Sequence, residues 1–220
     1  MRRMSKTVAI LNQKGGVGKS TLAQNLAACG HLAGMKTILL DLDEQATSRH
    51  WHCTREASSK LAGLRVDLVT EPSMWTEERF RETTAGYDLV ICDGPARLAA
   101  VSRAAAFLAD VVLVPMRAGA GEWWAGKANA EAFDVADQLR VLRGRAPVRR
   151  AYVLNEVFRV KETDAMASAL EDQEVELLAQ RIAHRVIYER ARGAGESVFT
   201  LEPEGAASRE LRAVFQAVAA

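Results

Sequence analysis

Two lysines set five residues apart among three glycines are the first residues in this chain with an evident chemical use. The run Gln13-Lys14-Gly15-Gly16-Val17-Gly18-Lys19-Ser20-Thr21 follows a short apolar stretch, Thr7-Val8-Ala9-Ile10-Leu11. It precedes apolar residues at helical spacing from Leu22 to Leu32. A glycine-rich turn between a strand and a helix lets backbone N–H groups close around a polyanion, and the helix N-terminus adds the positive end of its dipole. In that setting Lys19 reaches the β- and γ-phosphates of a nucleotide, and the Ser20 hydroxyl holds Mg²⁺. The usual pattern has glycine where this chain has Gln13, and a second lysine, Lys14, sits beside it. The alternative is a glycine-rich turn with no ligand. Against it, the first 40 residues hold six Lys or Arg and no acid, so a polyanion meets no repulsion there.

A magnesium–nucleotide site also needs carboxylates at the C-terminal ends of strands, where open α/β sheets bind their ligands. Two apolar runs end this way: Lys36-Thr37-Ile38-Leu39-Leu40 leads to Asp41-Leu42-Asp43, and Leu89-Val90-Ile91-Cys92 leads to Asp93-Gly94-Pro95. A strand-end aspartate alone is more often a turn or cap residue. Downstream of a phosphate loop, Asp93 is expected to hold Mg²⁺, with Asp41 supporting the metal shell. Asp43 is expected to orient or polarise an attacking water. Gly94 is expected to turn a backbone N–H toward the terminal phosphate.

The elements that must position these groups alternate. Strands are expected at 7–11, 36–41, 64–69, 87–92, 111–114 and 151–154. Helices are expected over 22–32, 76–84, 98–108, about 121–142 and about 163–179. Two further helical stretches are expected from Arg185 on, split by Gly193-Ala194-Gly195 and Pro203-Glu204-Gly205. Strands that are apolar without alternation are buried on both faces. The expected fold is therefore α/β, a doubly wound, mostly parallel sheet with helices on both faces. No repeat or long linker divides residues 1–220, which read as one domain.

The composition fits. The 220 residues carry 29 Lys+Arg against 28 Asp+Glu, with 49% hydrophobic residues, which excludes a disordered chain. No apolar run reaches membrane-spanning length and no secretory leader is apparent, so a cytoplasmic protein is expected. Cys29, Cys53 and Cys92 share no metal or redox spacing and read as reduced thiols. The cluster His50-Trp51-His52-Cys53 lacks a second ligand pair and is set aside as a metal site.

With these motifs in place, the chain resembles the ParA/MinD ATPases. Lys14 to Thr21 is similar to their deviant Walker A motif. Asp41-Leu42-Asp43-Glu44-Gln45 resembles their D-x-D-P-Q motif with Glu44 for proline, and Tyr87 to Pro95 resembles their Walker B strand. Ala109 to Pro115 resembles the strand that follows in that family, and Arg185, Tyr188 and Gly195-Glu196-Ser197-Val198-Phe199 look like the C-terminal region of the short plasmid-partition ParA (ParF-like) proteins. The resemblance implies ATP and Mg²⁺ as cofactors, with Gly15, Gly16, Val17, Gly18, Lys19, Ser20, Thr21 and Asn155 on the nucleotide and Ser20, Asp41 and Asp93 toward the metal. It implies catalytic roles for Lys14, Lys19 and Asp43, with Lys14 reaching the nucleotide of a second subunit in an ATP-sandwich homodimer. That dimer would bind DNA without sequence preference on the nucleoid. A small centromere-binding or adaptor protein would stimulate hydrolysis and release it, so distributing plasmid or chromosome copies. The alternatives are a positioning ATPase for a non-DNA cargo and a membrane-linked MinD-type division regulator. Relatives often read Asn-Arg where this chain has Asn155-Glu156.

The span from Arg140 to Lys161 holds seven Lys or Arg and one acid, Glu156, and Arg181, Arg185, Arg190 and Arg192 follow. Such a stretch is expected to form a DNA-phosphate surface, with Arg159, Lys161 and Arg185 as candidate contacts. Its alternative is a solvated arginine face. Trp123-Trp124 is either core or interface. The tail Leu211 to Val218 has apolar residues at helical spacing and one basic residue, which favours core packing over a membrane helix.

Overall fold

A computed structural model describes residues 5–71, 75–96, 100–117, 133–158, 164, 167–168, 170 and 175–219. Seven strands, β1 (Lys6–Ile10), β2 (Thr37–Asp41), β3 (Arg65–Leu68), β4 (Leu89–Asp93), β5 (Val111–Met116), β6 (Arg149–Val157) and β7 (Glu176–Ala183), form one sheet in the order β3-β2-β4-β1-β5-β6-β7. Every pairing is parallel. Around the sheet lie α1 (Lys19–Leu32), α2 (Thr47–Cys53), α3 (Glu77–Thr83), α4 (Ala100–Leu108), α5 (133–142), α6 (Val186–Gly193), α7 (Val198–Leu201) and α8 (Ala206–Ala219).

The strands are apolar without alternation because both faces are covered. In β1, Val8 and Ile10 enter one core while Ala9 enters the other; in β4, Leu89 and Ile91 enter the first, Val90 and Cys92 the second. The first core is closed by α1, α2, α6, α7 and α8, and the second by α4 and α5. Strand alternation therefore fixes where the carboxylates go. Asp41 and Asp93 are register partners at the ends of β2 and β4, in phase with Leu39, Leu89 and Ile91, on the face covered by α1 and α2.

Helix α1 is buried almost all round. Gly30 lets it approach β4, since a Cβ there would lie 2.5 Å from Leu89 Cδ2. The expected tail helix is α8, and it buries Leu211, Val214, Phe215 and Val218 in the first core, as expected for core packing. No helix among the described residues is long and apolar enough to cross a membrane.

Three expectations are corrected. The helix expected to about Ala179 does not reach it: residues 176–183 form β7, paired with β6. Helix α2 was not expected at all. The tail beyond Arg185 holds three helices, because the four residues of α7 close on a capping box between Ser197 and Thr200. Of the helix expected from Gly121, only 133–142 is described. Trp123 and Trp124 lie outside the described residues, as do Arg159 and Lys161.

Candidate nucleotide site

The loop between β1 and α1 is shaped by two left-handed glycines, Gly16 (φ 74°) and Gly18 (φ 87°), with Gly18 as the N-cap of α1. Other residues pay strain for such backbone, so the glycines set the loop's curvature. Asn12 anchors its base, donating to the Pro115 carbonyl at 2.7 Å and accepting from the Lys14 N–H at 2.9 Å. Gly15 and Gly16 are exposed, whereas Lys19 is only 7% exposed. The Lys19 ammonium donates to the Lys14 carbonyl at 2.9 Å, which ties the two lysines of the motif together. Burial lowers the Lys19 pKa, while Asp93 and Asp43 pull it back up. The loop thus holds a largely desolvated cation beside an open backbone rim, which suits a phosphate.

The acids converge on the same place. Asp93 is buried, and burial together with neighbouring Asp41 pushes its pKa up to about 7, against the opposing effects of Ser48, Ser20 and Lys19. Its Oδ2 accepts from Ser48 Oγ at 2.7 Å, and its Oδ1 is buried with no hydrogen-bond partner. Burial also raises the Asp41 pKa, against hydrogen bonds from the backbone N–H groups of Arg49, Asp43 and Ser48. Two buried carboxylates with an unpartnered oxygen, beside a serine and a lysine, fit a divalent cation between protein and phosphate. Asp43 lies two residues past Asp41, its N–H donating to Asp41 Oδ1 at 3.2 Å, its Oδ1 accepting the Gln45 N–H at 3.0 Å and its carbonyl the Ala46 N–H at 2.8 Å. Gly94 departs from expectation. Its N–H donates to the Ile10 carbonyl at 3.1 Å, and a Cβ there would strike Leu11, so this glycine answers to packing against β1.

At the end of β6, Asn155 is 4% exposed and its Nδ2 donates to the Val17 carbonyl at 2.8 Å. One N–H of its amide is therefore given to the loop, and the side chain lies so close to Gly18 that a Cβ there would collide with it. Beside it opens a cleft of about 90 Å³, lined in part by Asn155, Glu156, His184, Arg185, Tyr188 and Arg192. Tyr188 Oη and Arg185 Nε are buried there without hydrogen-bond partners. Phe158 and His184 stack with ring centroids 4.3 Å apart.

A family model for an AAA domain matches residues 5–55, the segment that carries the loop and the first aspartates. The maintenance of carboxysome distribution protein A of Halothiobacillus neapolitanus is 27% identical over 90% of this chain and 89% of its own length. The chromosome-partitioning ATPase Soj of Thermus thermophilus is 31% identical over 54% of this chain, which spans 57% of that protein. Two solved structures share the fold. A Cyanothece McdA variant in complex with ATP has a TM-score of 0.73 at 14% identity, over 97% of this chain and 96% of that one. The septum site-determining protein MinD of Pyrococcus horikoshii, complexed with Mg-ADP, has a TM-score of 0.70 at 16% identity, over 98% and 96%. The fold of this chain is that of the ParA/MinD-type P-loop ATPases.

Within this fold most of the described cations of the basic span meet a partner. Arg140 is 7% exposed and donates to the carbonyls of Phe107, Ala109 and Ala146 at 2.7–2.8 Å, clamping α5 to the end of α4. Arg145 and Arg143 pair with Glu77, Arg149 with Glu176, and Arg150 with Asp134 and Asp137. Of these five described cations only Arg140 is buried; Arg143 and Arg149 keep exposed side chains beside their acids. Arg181 pairs with Asp164, and Arg185 pairs with Glu210 at 2.6 Å while lining the cleft. Arg190 and Arg192 on α6 remain exposed.

Two site residues were missed by reading the sequence. Ser48, fully buried on α2, donates to Asp93 and accepts from Gln24 Nε2 at 3.2 Å, so it ties the Asp93 carboxylate to α1. Arg117 pairs with Glu156, which supplies in space the positive charge that the Asn155-Glu156 sequence lacks. Ser48 had no signal beyond its distance from Asp43; Arg117 stood just past the end of an expected strand.

Proposed function

We propose that residues 1–220 form one ATP-hydrolysing domain that positions a cellular cargo. The observation that carries this reading is the convergence of Lys19, Asp41 and Asp93 on a loop whose second lysine, Lys14, sits at its rim. ATP binds with its phosphates on residues 15–21 and its base toward the cleft beside Asn155, where Tyr188 and Arg185 hold buried unpartnered polar atoms. Ser20 and Asp93, backed by Asp41, would hold Mg²⁺, which when bound neutralises phosphate charge. Lys19 balances the charge that grows on the phosphate oxygens. Asp43 orients water for attack on the γ-phosphorus, with ADP leaving. Lys14 reaches the nucleotide of a second copy, so ATP closes a homodimer and hydrolysis opens it.

The closed dimer binds DNA without sequence preference, on the nucleoid, and a small adaptor on the cargo stimulates its release. With most of the basic span paired, the DNA contacts fall to exposed cations such as Arg190 and Arg192, and to Arg159 and Lys161 outside the described residues. The cargo is a plasmid or chromosome copy, in line with the Soj relative. A protein cargo is the second reading, favoured by the carboxysome-distribution relative that matches nearly end to end. The membrane-linked reading loses support because the apolar face of α8 is buried in the core.

The test is a gel shift on a random-sequence duplex. Retardation is expected with Mg-ATP, none without nucleotide, a steep loss with added salt, and persistent retention for Asp43→Ala. Binding indifferent to nucleotide would contradict it.

A further inference from the structure

One cation at the rim of the loop has no part in the reading above. Arg117 follows β5, and its Nη1 lies 4.0 Å from where a Cβ on Gly16 would stand. Gly16 is exposed and has no side chain to intervene, so the guanidinium sits over the open face of the phosphate loop. Its Nε is buried with no hydrogen-bond partner. We propose that Arg117 is a further phosphate-contacting residue of the nucleotide site, held by Glu156 until a nucleotide takes its place. This rests on the nucleotide reading of the loop.

Three observations on Glu156 support the exchange. Its carboxylate pairs with the Arg117 guanidinium, and its Oε1 also comes within 3.5 Å of the Cβ position on Gly18, the N-cap of α1. A negative group at that N-terminus occupies ground that favours anions, so Glu156 acts as an internal stand-in for phosphate. Its backbone is left-handed at φ 54°, a conformation shared, among described non-glycine residues, only with Ala46 just beyond Asp43. Non-glycine residues held there carry strain, and such strain gathers at sites that change state. Finally, the Arg117 and Glu156 side chains are 41% and 25% exposed, so the pair can part without opening the core. A polyphosphate offers the planar fork of an arginine more charge and more acceptors than one carboxylate does.

The experiment measures binding of a fluorescent ATP analogue with Mg²⁺ to the full chain by anisotropy, with a thermal melt for each variant. Wild-type binding is read first; its absence would end the nucleotide reading itself, before any variant is compared. Arg117→Gln is expected to weaken binding about tenfold, as for loss of one charge-assisted hydrogen bond. Glu156→Gln is expected to tighten it, because the competitor is gone. Arg117→Lys should recover only part of the loss, since an ammonium keeps the charge and loses the fork. A pair that merely ties β5 to β6 would make both glutamine variants shift binding the same way, or neither, and that result overturns the proposal. Full recovery by Arg117→Lys also overturns it, because charge at a distance would then suffice.

Discussion

Replacing Lys19 with alanine is expected to lower ATP turnover by a hundredfold or more, roughly the effect of removing a positioned donor from a charge-stabilising site. Lys19 is nearly buried, so its charge acts with little solvent screening, and its ammonium is already directed into the loop through the Lys14 carbonyl. The variant should also change how stability depends on pH. Asp93 has a folded pKa raised to about 7, chiefly by burial, above the ordinary carboxylate value. Such a group binds more protons folded than unfolded, so its contribution to stability is lost as pH rises through that window. Lys19 is one of the groups that hold the Asp93 pKa down. Without it the window extends upward, and the melting temperature of Lys19→Ala should fall further below wild type at about pH 8 than at about pH 6. Turnover within a few fold of wild type, measured by phosphate release, would remove the catalytic role given to this lysine.

The largest loss of stability from a single methyl group is expected at Gly195. Its φ is +68°, and a Cβ there would lie 2.5 Å from Arg55 N, 2.6 Å from Arg55 Cα and 2.9 Å from the Trp51 carbonyl oxygen. Alanine would therefore meet both backbone strain and the C-terminal end of α2, which is main chain and cannot swing aside. Relief requires α2 to draw back from residues 195–196. That would break the bond from Trp51 Nε1 to the Glu196 carbonyl (2.8 Å) and from Arg55 Nε to the Gly195 carbonyl (2.9 Å). Strain and two strained or lost hydrogen bonds together suggest about 3–5 kcal/mol, a large share of a typical domain's stability. Equilibrium urea unfolding measures it. Gly193→Ala serves as the control, since a Cβ there meets nothing within 4 Å and its φ is not positive. A Gly195→Ala variant within about 1 kcal/mol of that control would show that α2 yields freely. The position matters for function as well, because α2 carries Ser48 to Asp93 and starts just beyond Asp43.

The parts of this site written in consecutive residues were legible. The glycine-rich loop between β1 and α1, the apolar run of β4 and the acids at two strand ends need only neighbours in sequence to be recognised, and strand alternation then places Asp41 beside Asp93. What depends on distant partners was not. Residues 176–183 alternate imperfectly, with Leu177 and Leu178 adjacent and Ile182 at helical spacing from Leu178. As an edge strand, β7 takes its identity from pairing with β6 alone. Helix α2 is seven largely polar residues, held by Trp51 in the core and by a C-terminal loop 145 residues away. The basic span misled for the same reason: Arg149 finds its acid 27 residues on, and Arg145 finds one 68 residues back. Local charge counts do not see such pairs.

Under the function proposed above, ATP assembles two copies of this chain through Lys14 and hydrolysis separates them. Light scattering on the Asp43→Ala variant tests it most directly. One protomer mass is expected without nucleotide, twice that mass with Mg-ATP, and a return to one when Lys14→Gln is added to the same variant. A single protomer mass with Mg-ATP bound, or a dimer that forms without nucleotide and ignores Lys14, would contradict it.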